Sequence, residues 1–282
     1  MWNYLFRTVA YLLVVGCGMG AVSAQTASRT SSGQTAEVSA PSERKQDAGS
    51  LVVGVRHVIP AFVAGSKVRT PESTETLLVD EIAKVVHQTP RYVAADVNSS
   101  SVSPEHFDFI VADLPKGNAL DFPSMTAIAT GQVTRPMAIM RTDTDIKSWQ
   151  QLKGRTVCVA EDGRYVGRIA HQFGAVEQVY RAPADSLLAL RIGECDAAVH
   201  DDTLLKALLR FPEWNKFSAS LPPGEASVQY FLVPADRQEL ANRIRNLVAG
   251  WKSGGYYGKL IAKMTQDIAF EVYLDQTVPD CH

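Results

Sequence analysis

The sequence lacks the signatures of several large classes of protein. Its 282 residues have a formal net charge of −2, which leaves no positive excess for holding a nucleic acid or a membrane surface. The four cysteines form no CxxC pair and there is no His-rich cluster, so nothing supports a zinc site. After residue 24 there is no GxSxG, HExxH or phosphate-binding loop, and no apolar run long enough to cross a membrane. We therefore expect no metal, no cofactor and no nucleic-acid partner.

The composition is that of an ordinary globular protein. Hydrophobic residues make up 46% of the chain and charged residues 21%, which argues against a fibrous or largely disordered protein. The length leaves room for two modest domains or one large one.

The first residues resemble an export signal. Arg7 is the only charged side chain before the apolar run Val9–Val15, and Val22-Ser23-Ala24 is a plausible cleavage site, so residues 1–24 are predicted to be a signal peptide. A second interpretation stays open, because Val14-Val15-Gly16-Cys17 resembles a lipoprotein box in which Cys17 would carry a lipid. Both interpretations predict an exported, periplasmic protein.

Residues 25–49 follow as a polar stretch rich in Ser, Thr, Ala, Gln and Gly, without an aromatic residue. Such a composition buries too little apolar area to offset the entropy lost on ordering. We predict a disordered tether here.

From Ser50 onward, short β-rich segments alternate with helical segments in two successive series. The first series contains predicted strands at Leu51–Val55, Arg91–Val97 and Phe107–Val111, with a helix at Thr74–His87. The second begins after Thr134, and its predicted strands are Pro136–Met140, Thr156–Ala160, Val176–Arg181 and Asp196–His200. This alternation indicates parallel sheets covered by helices.

Two such series predict an α/β protein of two lobes. Residues 50–133 and 228–282 are expected to form the first lobe, and residues 134–227 the second. The chain would cross between the lobes near Thr130–Thr134 and Ala226–Tyr230, and the final helices, Arg237–Lys252 and Tyr256–Met264, would cover the first lobe.

Four strings, in this order, resemble the polar-amino-acid receptors of ABC importers, family 3 of the periplasmic solute-binding proteins. They are Val53-Gly54-Val55 with Ile59-Pro60-Ala61-Phe62, Leu152–Val159, Gly193–Asp201 and Gly255–Leu260. The resemblance covers most of residues 50–264. It implies the two-lobed periplasmic-binding-protein fold of type II with two crossover hinge segments. It also implies a monomer that binds a small polar ligand, amino-acid-like or an organic acid, and delivers it to an ABC transporter permease without catalysis.

The Cys158 and Cys195 strings resemble a subgroup of these receptors in which the two positions form a disulfide. The two residues also belong to predicted neighbouring strands, at a plausible bridging distance, and an exported protein permits disulfides. The alternative is a pair of buried free thiols. Cys281 is left over in either case.

Receptors of this family grip an amino acid at both ends, with an Arg on the carboxylate and an Asp on the ammonium. Asp201 matches the Asp, although it could instead cap the helix that follows. Lys116 falls where the family has Arg, but lysine lacks the planar fork that binds a carboxylate twice, and a solvated loop lysine is the alternative. An ordinary α-amino acid ligand is therefore in doubt.

The turn after Cys158 is a second departure from the family. The family's Gly-Thr-Thr turn is replaced by Glu161–Tyr165, in which Gly163 and Arg164 could form an anion site at a helix start. Alternatively, Arg164 points into solvent and Tyr165 packs on the lobe surface. Phe62 is expected to form an apolar wall of the cleft.

Two other functions share this fold. Some dehydratases use it, and Glu161 or Asp162 would be their acid, but no catalytic motif supports an enzyme. An accessory or sensor protein with a repurposed cleft would explain the altered Arg and Gly-Thr-Thr positions.

Overall fold

The computed structural model describes residues 49–61, 63–95, 106–115, 122 and 124–277. Within these ranges the strands are β1 (Ser50–Val55), β2 (Thr89–Ala94), β3 (Phe109–Pro115), β4 (Met125–Thr134), β5 (Pro136–Met140), β6 (Thr156–Ala160), β7 (Val176–Tyr180), β8 (Ala197–Asp201), β9 (Ala219–Ser220) and β10 (Ser227–Pro234). The α-helices are α1 (Glu75–Val86), α2 (Arg168–Phe173), α3 (Pro183–Arg191), α4 (Asp202–Leu208), α5 (Gln238–Ser253) and α6 (Tyr256–Asp275). Short 3-10 helices cover Trp149–Leu152 and Pro212–Phe217.

The first lobe is a five-stranded sheet with α1 and α5 packed against it. Its strand order is β2-β1-β3-β10-β4, with β1, β2 and β3 parallel and β10 antiparallel to both of its neighbours. Helical spacing buries one apolar stripe of α5 against this sheet, at Ala241, Ile244, Val248 and Trp251.

The second lobe is another five-stranded sheet, in the order β7-β6-β8-β5-β9, with α2, α3 and α4. Strands β6, β7 and β8 are parallel, and β5 is antiparallel to β8. Both of its faces are covered, which explains why β8 is buried at all five positions. The two-lobed α/β arrangement predicted from the sequence is confirmed.

The lobes are joined by two short links and belong to one compact unit. Strand β4 ends at Thr134 and β5 begins at Pro136, so Arg135 alone connects them. The amide of Arg135 donates to the Asp202 carboxylate at 3.0 Å, which anchors this link to α4. The second link runs from β9 to β10.

Helix α6 is longer than the sequence pattern predicts. The expected helix ended at Met264, whereas α6 continues to Asp275. Ile268 and Val272 in its second half pack into the core beneath α3 and α4, so the helix contacts the second lobe as well. The sequence pattern does not reveal this, because the exposed Phe270, Tyr273 and Leu274 blur its apolar stripe.

The predicted disulfide between Cys158 and Cys195 is present, with a Cα–Cα distance of 5.9 Å. It joins β6 to the turn before β8, closing a loop with a sequence separation of 37 residues. We expect the Cys158→Ala/Cys195→Ala variant to lose about 4 kcal/mol of unfolding free energy, because the crosslink restricts the unfolded chain. Thermal melting of both proteins without reductant tests this, and equal melting temperatures would contradict it.

Several sequence predictions lie outside the described residues. These are the signal peptide, most of the tether, Cys17, Phe62, Lys116 and Cys281. Among the described residues, no helix is long and apolar enough to span a bilayer, and no group of three or more His, Cys, Asp or Glu side chains is placed to hold a metal ion.

Candidate functional site

Charged side chains of both lobes meet where the parallel strands end. Arg56 follows β1, Asp113 lies near the end of β3, Arg164 follows β6, and His200 and Asp201 end β8. The carboxyl ends of parallel strands are where α/β sheets present groups to ligands. We call the space between the lobes at this edge the cleft.

Arg164 crosses the cleft and binds a carboxylate on each side. Its guanidinium forms an ion pair with Asp113 of the first lobe, and its Nε donates to Asp201 Oδ2 at 3.1 Å. The residue is 9% exposed, so it does not point into solvent. With two carboxylates neutralising it, Arg164 is not a free anion site in this arrangement. Its guanidinium instead fills the place beside Asp201 that the resemblance assigns to a ligand's ammonium.

Asp201 is buried and fully engaged by its neighbours. Tyr165 donates its hydroxyl to the other carboxylate oxygen, Oδ1, at 2.5 Å, so this tyrosine lies in the interior, not on the lobe surface. Asp201 occupies the position before the first residue of α4, yet its side chain caps no amide of that helix. The Asp201 side chain therefore does not cap the helix, which was the alternative role that the sequence suggested.

Glu72 is a second buried group that joins the lobes. It lies in the loop before α1, and its carboxylate accepts from the Asp201 amide and faces His200 Nδ1, each at 2.8 Å. The other ring nitrogen of His200 lies 2.8 Å from Ser186 Oγ, whose proton goes to the Pro183 carbonyl. Because a carboxylate can only accept, the N–H at His200 Nδ1 donates the hydrogen bond to Glu72.

Asp162 and Arg56 close the remaining side of the cleft. The Asp162 carboxylate accepts from the amides of Glu72 at 2.7 Å and Ser73 at 3.3 Å. Arg56 of the first lobe donates to the carbonyls of Asp162, at 2.6 Å, and Gly163, at 2.9 Å. The lobes are therefore held together by the protein's own polar groups.

The acidic groups of the cleft differ in the direction in which their pKa is shifted. Desolvation opposes ionisation of Glu72, but the charge and hydrogen bond of His200 outweigh it, so the pKa of Glu72 is lowered. Desolvation instead raises the pKa of Glu75, and it raises that of Asp162 with help from the charge on Glu72. Burial also raises the pKa of Asp201 to about 7, against the lowering effect of Arg164.

The shift of Asp201 predicts a pH dependence of stability. The unfolded carboxyl titrates near about pH 3.9, so between about pH 4 and 7 the folded protein binds more protons, and the Asp201 contribution to stability falls as pH rises. The slope approaches about 1.4 kcal/mol per pH unit for one whole proton. We expect Asp201→Asn to remove this dependence in urea unfolding at pH 5, 6 and 7. Parallel pH profiles for the two proteins would refute the assignment.

Gly163 allows the close approach of Glu72. A Cβ at this position would stand 2.8 Å from Glu72 Oε2 and 2.8 Å from the Ala160 carbonyl. We expect Gly163→Ala to cost about 1–3 kcal/mol, the range for overpacking a tight site. Gly250→Ala is the matched control, since a Cβ there meets nothing within 4 Å and its helix favours alanine. Equal melting temperatures for the two variants would contradict the predicted contact.

A cavity of about 160 Å³ remains in the cleft next to this network. The first lobe lines it with His57, Ile59, Pro60, Val68, Arg69 and Pro71, and the second with Glu161, Asp162, Arg181 and Ala182. Asp162 Oδ1 is buried without a hydrogen-bond partner, and within the described part of the chain the Arg181 side chain has none either. We call this space the cleft cavity.

The sequence identified part of this site. Asp201, Gly163 and Arg164 do lie together at the cleft, while Lys116 and Phe62 lie outside the described residues. The sequence pattern did not predict Glu72, His200 or the pairing of Asp113. His200 directly precedes Asp201 in a recognised string, so that string could have suggested it, but Glu72 reads as a solvated loop residue.

No protein-family model matches the chain, and no curated protein matches it significantly. Its structure is similar to a mutant of ArgBP from T. maritima, with a TM-score of 0.52 and 19% identity over 78% of this chain and 96% of that one. The chain has the fold of a two-lobed periplasmic binding protein.

Two further structures share this periplasmic-binding-protein fold. One is the amino acid ABC transporter substrate-binding protein AbpA of Streptococcus pneumoniae bound to L-arginine, with a TM-score of 0.51, 14% identity and coverage of 79% of this chain and 97% of that one. The other is the GluR0 ligand-binding core of Nostoc punctiforme in complex with (L)-glutamate. Its TM-score is 0.50, with 17% identity and coverage of 76% of this chain and 98% of that one. The predicted fold class is thus confirmed.

Proposed function

We propose that this chain is an exported solute-binding receptor that binds a small polar ligand in the cleft between its lobes and delivers it to an ABC importer. The observation that carries the proposal is the cleft cavity, which both lobes line at the carboxyl ends of their strands. The lobe boundaries at about residues 134 and 227 belong to the same proposal. Its fold, shared with structures whose ligands are L-arginine and (L)-glutamate, supports it.

The ligand's chemistry follows from the groups that lack partners. Asp162 Oδ1 accepts hydrogen bonds, so it suits an ammonium or a hydroxyl group. Arg181, exposed at the second lobe's rim, suits a carboxylate. Ile59, Pro60 and Val68 offer apolar contact between these two ends. A small amino acid or hydroxy acid has this pattern, and at 160 Å³ the cavity holds about five waters' worth of volume.

Asp201 is not the ammonium site of the closed form in this proposal, because Arg164 fills that place. An incoming amino group could reach Asp201 only by displacing a guanidinium that is also paired with Asp113. The clamp of Asp201 and Lys116 expected from the resemblance stays a prediction.

A thermal-shift screen of amino acids, hydroxy acids and dicarboxylic acids tests the proposal. A true ligand at 100 times its dissociation constant should add about 2.7 kcal/mol to the stability of the folded protein. Asp162→Asn and Arg181→Ala should each weaken its binding by about tenfold or more, since hydrogen bonds to charged groups are worth about 1.5–3 kcal/mol. Arg243→Ala, an exposed arginine on α5, is the matched control.

Two outcomes would count against the receptor. Without any hit in the screen, the cleft has no small-molecule function of this class. A hit that binds Asp162→Asn and Arg181→Ala as tightly as it binds the wild type would place the ligand elsewhere.

A further inference from the structure

A second cavity lies beside the link between the lobes. Its volume is about 480 Å³, within the range of about 300–1,000 Å³ typical of small-molecule sites, and it shares no lining residue with the cleft cavity. Its walls come from three elements: β4 of the first sheet, α4 with the residues that follow it, and the start of α6. We call it the hinge pocket.

Besides the Tyr257 hydroxyl, two polar groups at the hinge pocket have no hydrogen-bond partner within the described residues. Gln132 of β4 is only 7% exposed, and its Nε2 makes no hydrogen bond. Thr203 Oγ1 of α4 is likewise buried and unpaired. Leaving a buried polar group unpaired costs about 1–3 kcal/mol, so these two positions indicate a place for a polar ligand group.

The charge around the hinge pocket is positive. Arg210 lines it, and its guanidinium has no partner in the part of the chain that the structure describes. Lys206 also lines it and is held by Asp202 at 2.6 Å, while the Lys252 side chain lies across Gly131 at its edge. No acidic side chain is among the described residues that line it.

We propose that the hinge pocket binds a small organic anion. Arg210 would take the carboxylate in a two-point contact, and Gln132 and Thr203 would supply further hydrogen bonds. Tyr257 and Ile261 of α6 would cover the apolar part of the ligand. The occupant would contact β4 and α4 together, next to the Arg135 link, and it is distinct from the solute of the proposed function.

Titration with 4-fluorobenzoate, followed by fluorine NMR, tests this site on the full chain. We expect saturable binding, weakened about tenfold or more in Arg210→Ala and weakened to a smaller extent in Thr203→Val. Neutral 4-fluorobenzyl alcohol should bind at least about tenfold more weakly than the acid. Arg243→Ala should leave binding unchanged, and so should Arg181→Ala, because Arg181 belongs to the cleft cavity.

The remaining outcomes overturn the proposal. Equal binding of the alcohol and the acid would mean an apolar groove without anion recognition. Loss of binding in Arg181→Ala but not in Arg210→Ala would place the acid in the cleft cavity, which supports the proposed function and refutes the hinge site. Absence of saturable binding, or unchanged binding in Arg210→Ala, would also refute it.

Discussion

Arg164→Met should lower the melting temperature by roughly 10 °C, corresponding to a loss of about 3–5 kcal/mol. The methionine fills similar volume but leaves the buried carboxylate of Asp201 facing the partly buried carboxylate of Asp113 across the cleft. Breaking one side of a buried ion pair is costly because the remaining charge loses its partner. Thermal melting of both proteins at pH 8 gives the measurement.

The pH dependence of this loss identifies its cause. Arg164 lowers the pKa of Asp201, which burial raises, so the pKa of Asp201 rises further in Arg164→Met. The loss of stability should therefore be smaller at pH 5, because protonation of Asp201 removes the uncompensated charge. Arg164→Lys is the control: it keeps the charge but loses the fork, so its loss at pH 8 should be smaller. If Arg164→Met has the same melting temperature as the wild type at both pH values, the guanidinium does not lie between the carboxylates of Asp113 and Asp201.

Glu72→Gln should cost about 3–5 kcal/mol, because it removes the charged carboxylate that accepts from both His200 Nδ1 and the Asp201 amide, and hydrogen bonds to charged groups are worth about 1.5–3 kcal/mol each. The matched control is Glu75→Gln, the same change three residues later, at another buried glutamate. Burial raises the pKa of Glu75, its Oε1 accepts no hydrogen bond, and Arg56 lies 3.8 Å away, so an amide there should cost less stability than it does at Glu72. Urea or thermal unfolding of the two variants side by side makes the comparison.

The Glu72 prediction depends on the contact, not on burial alone. If Glu72→Gln and Glu75→Gln lower the unfolding free energy equally, the contact between Glu72 and His200 contributes nothing specific to stability. If Glu72→Gln leaves the unfolding free energy unchanged, the contact between Glu72 and His200 does not hold the lobes together.

Sequence periodicity was sufficient for most of the fold. Strands β5 and β6 have the predicted bounds, because each is a short apolar run bounded by polar residues. Strand β4 was predicted only as a crossover, since its exposed and buried residues alternate without an apolar run and Gly131, with φ +95°, interrupts it. Its pairing with the distant β10 forms it as a strand.

The site was less predictable, for a physical reason. Asp201 and Arg164 could be found because they stand in strings that resemble a known family at the ends of predicted strands. Glu72 lies in a loop with polar neighbours, and nothing local shows that His200, 128 residues away, meets its carboxylate. Long-range partners decide which polar residues are buried, and a single sequence does not contain that information.

The protein's own charged groups hold the cleft closed without a ligand. Spin labels on Val85→Cys of α1 and Val176→Cys of β7, both exposed, report the separation of the lobes by pulsed electron paramagnetic resonance. The measurement uses protein with Cys17 and Cys281 replaced by serine, freed of ligand by unfolding in urea and refolding without reductant. We expect one narrow distance distribution without ligand, and a longer, broader one in Glu72→Gln. A long, broad distribution in the ligand-free parent protein, which shortens only when a ligand is added, would contradict it.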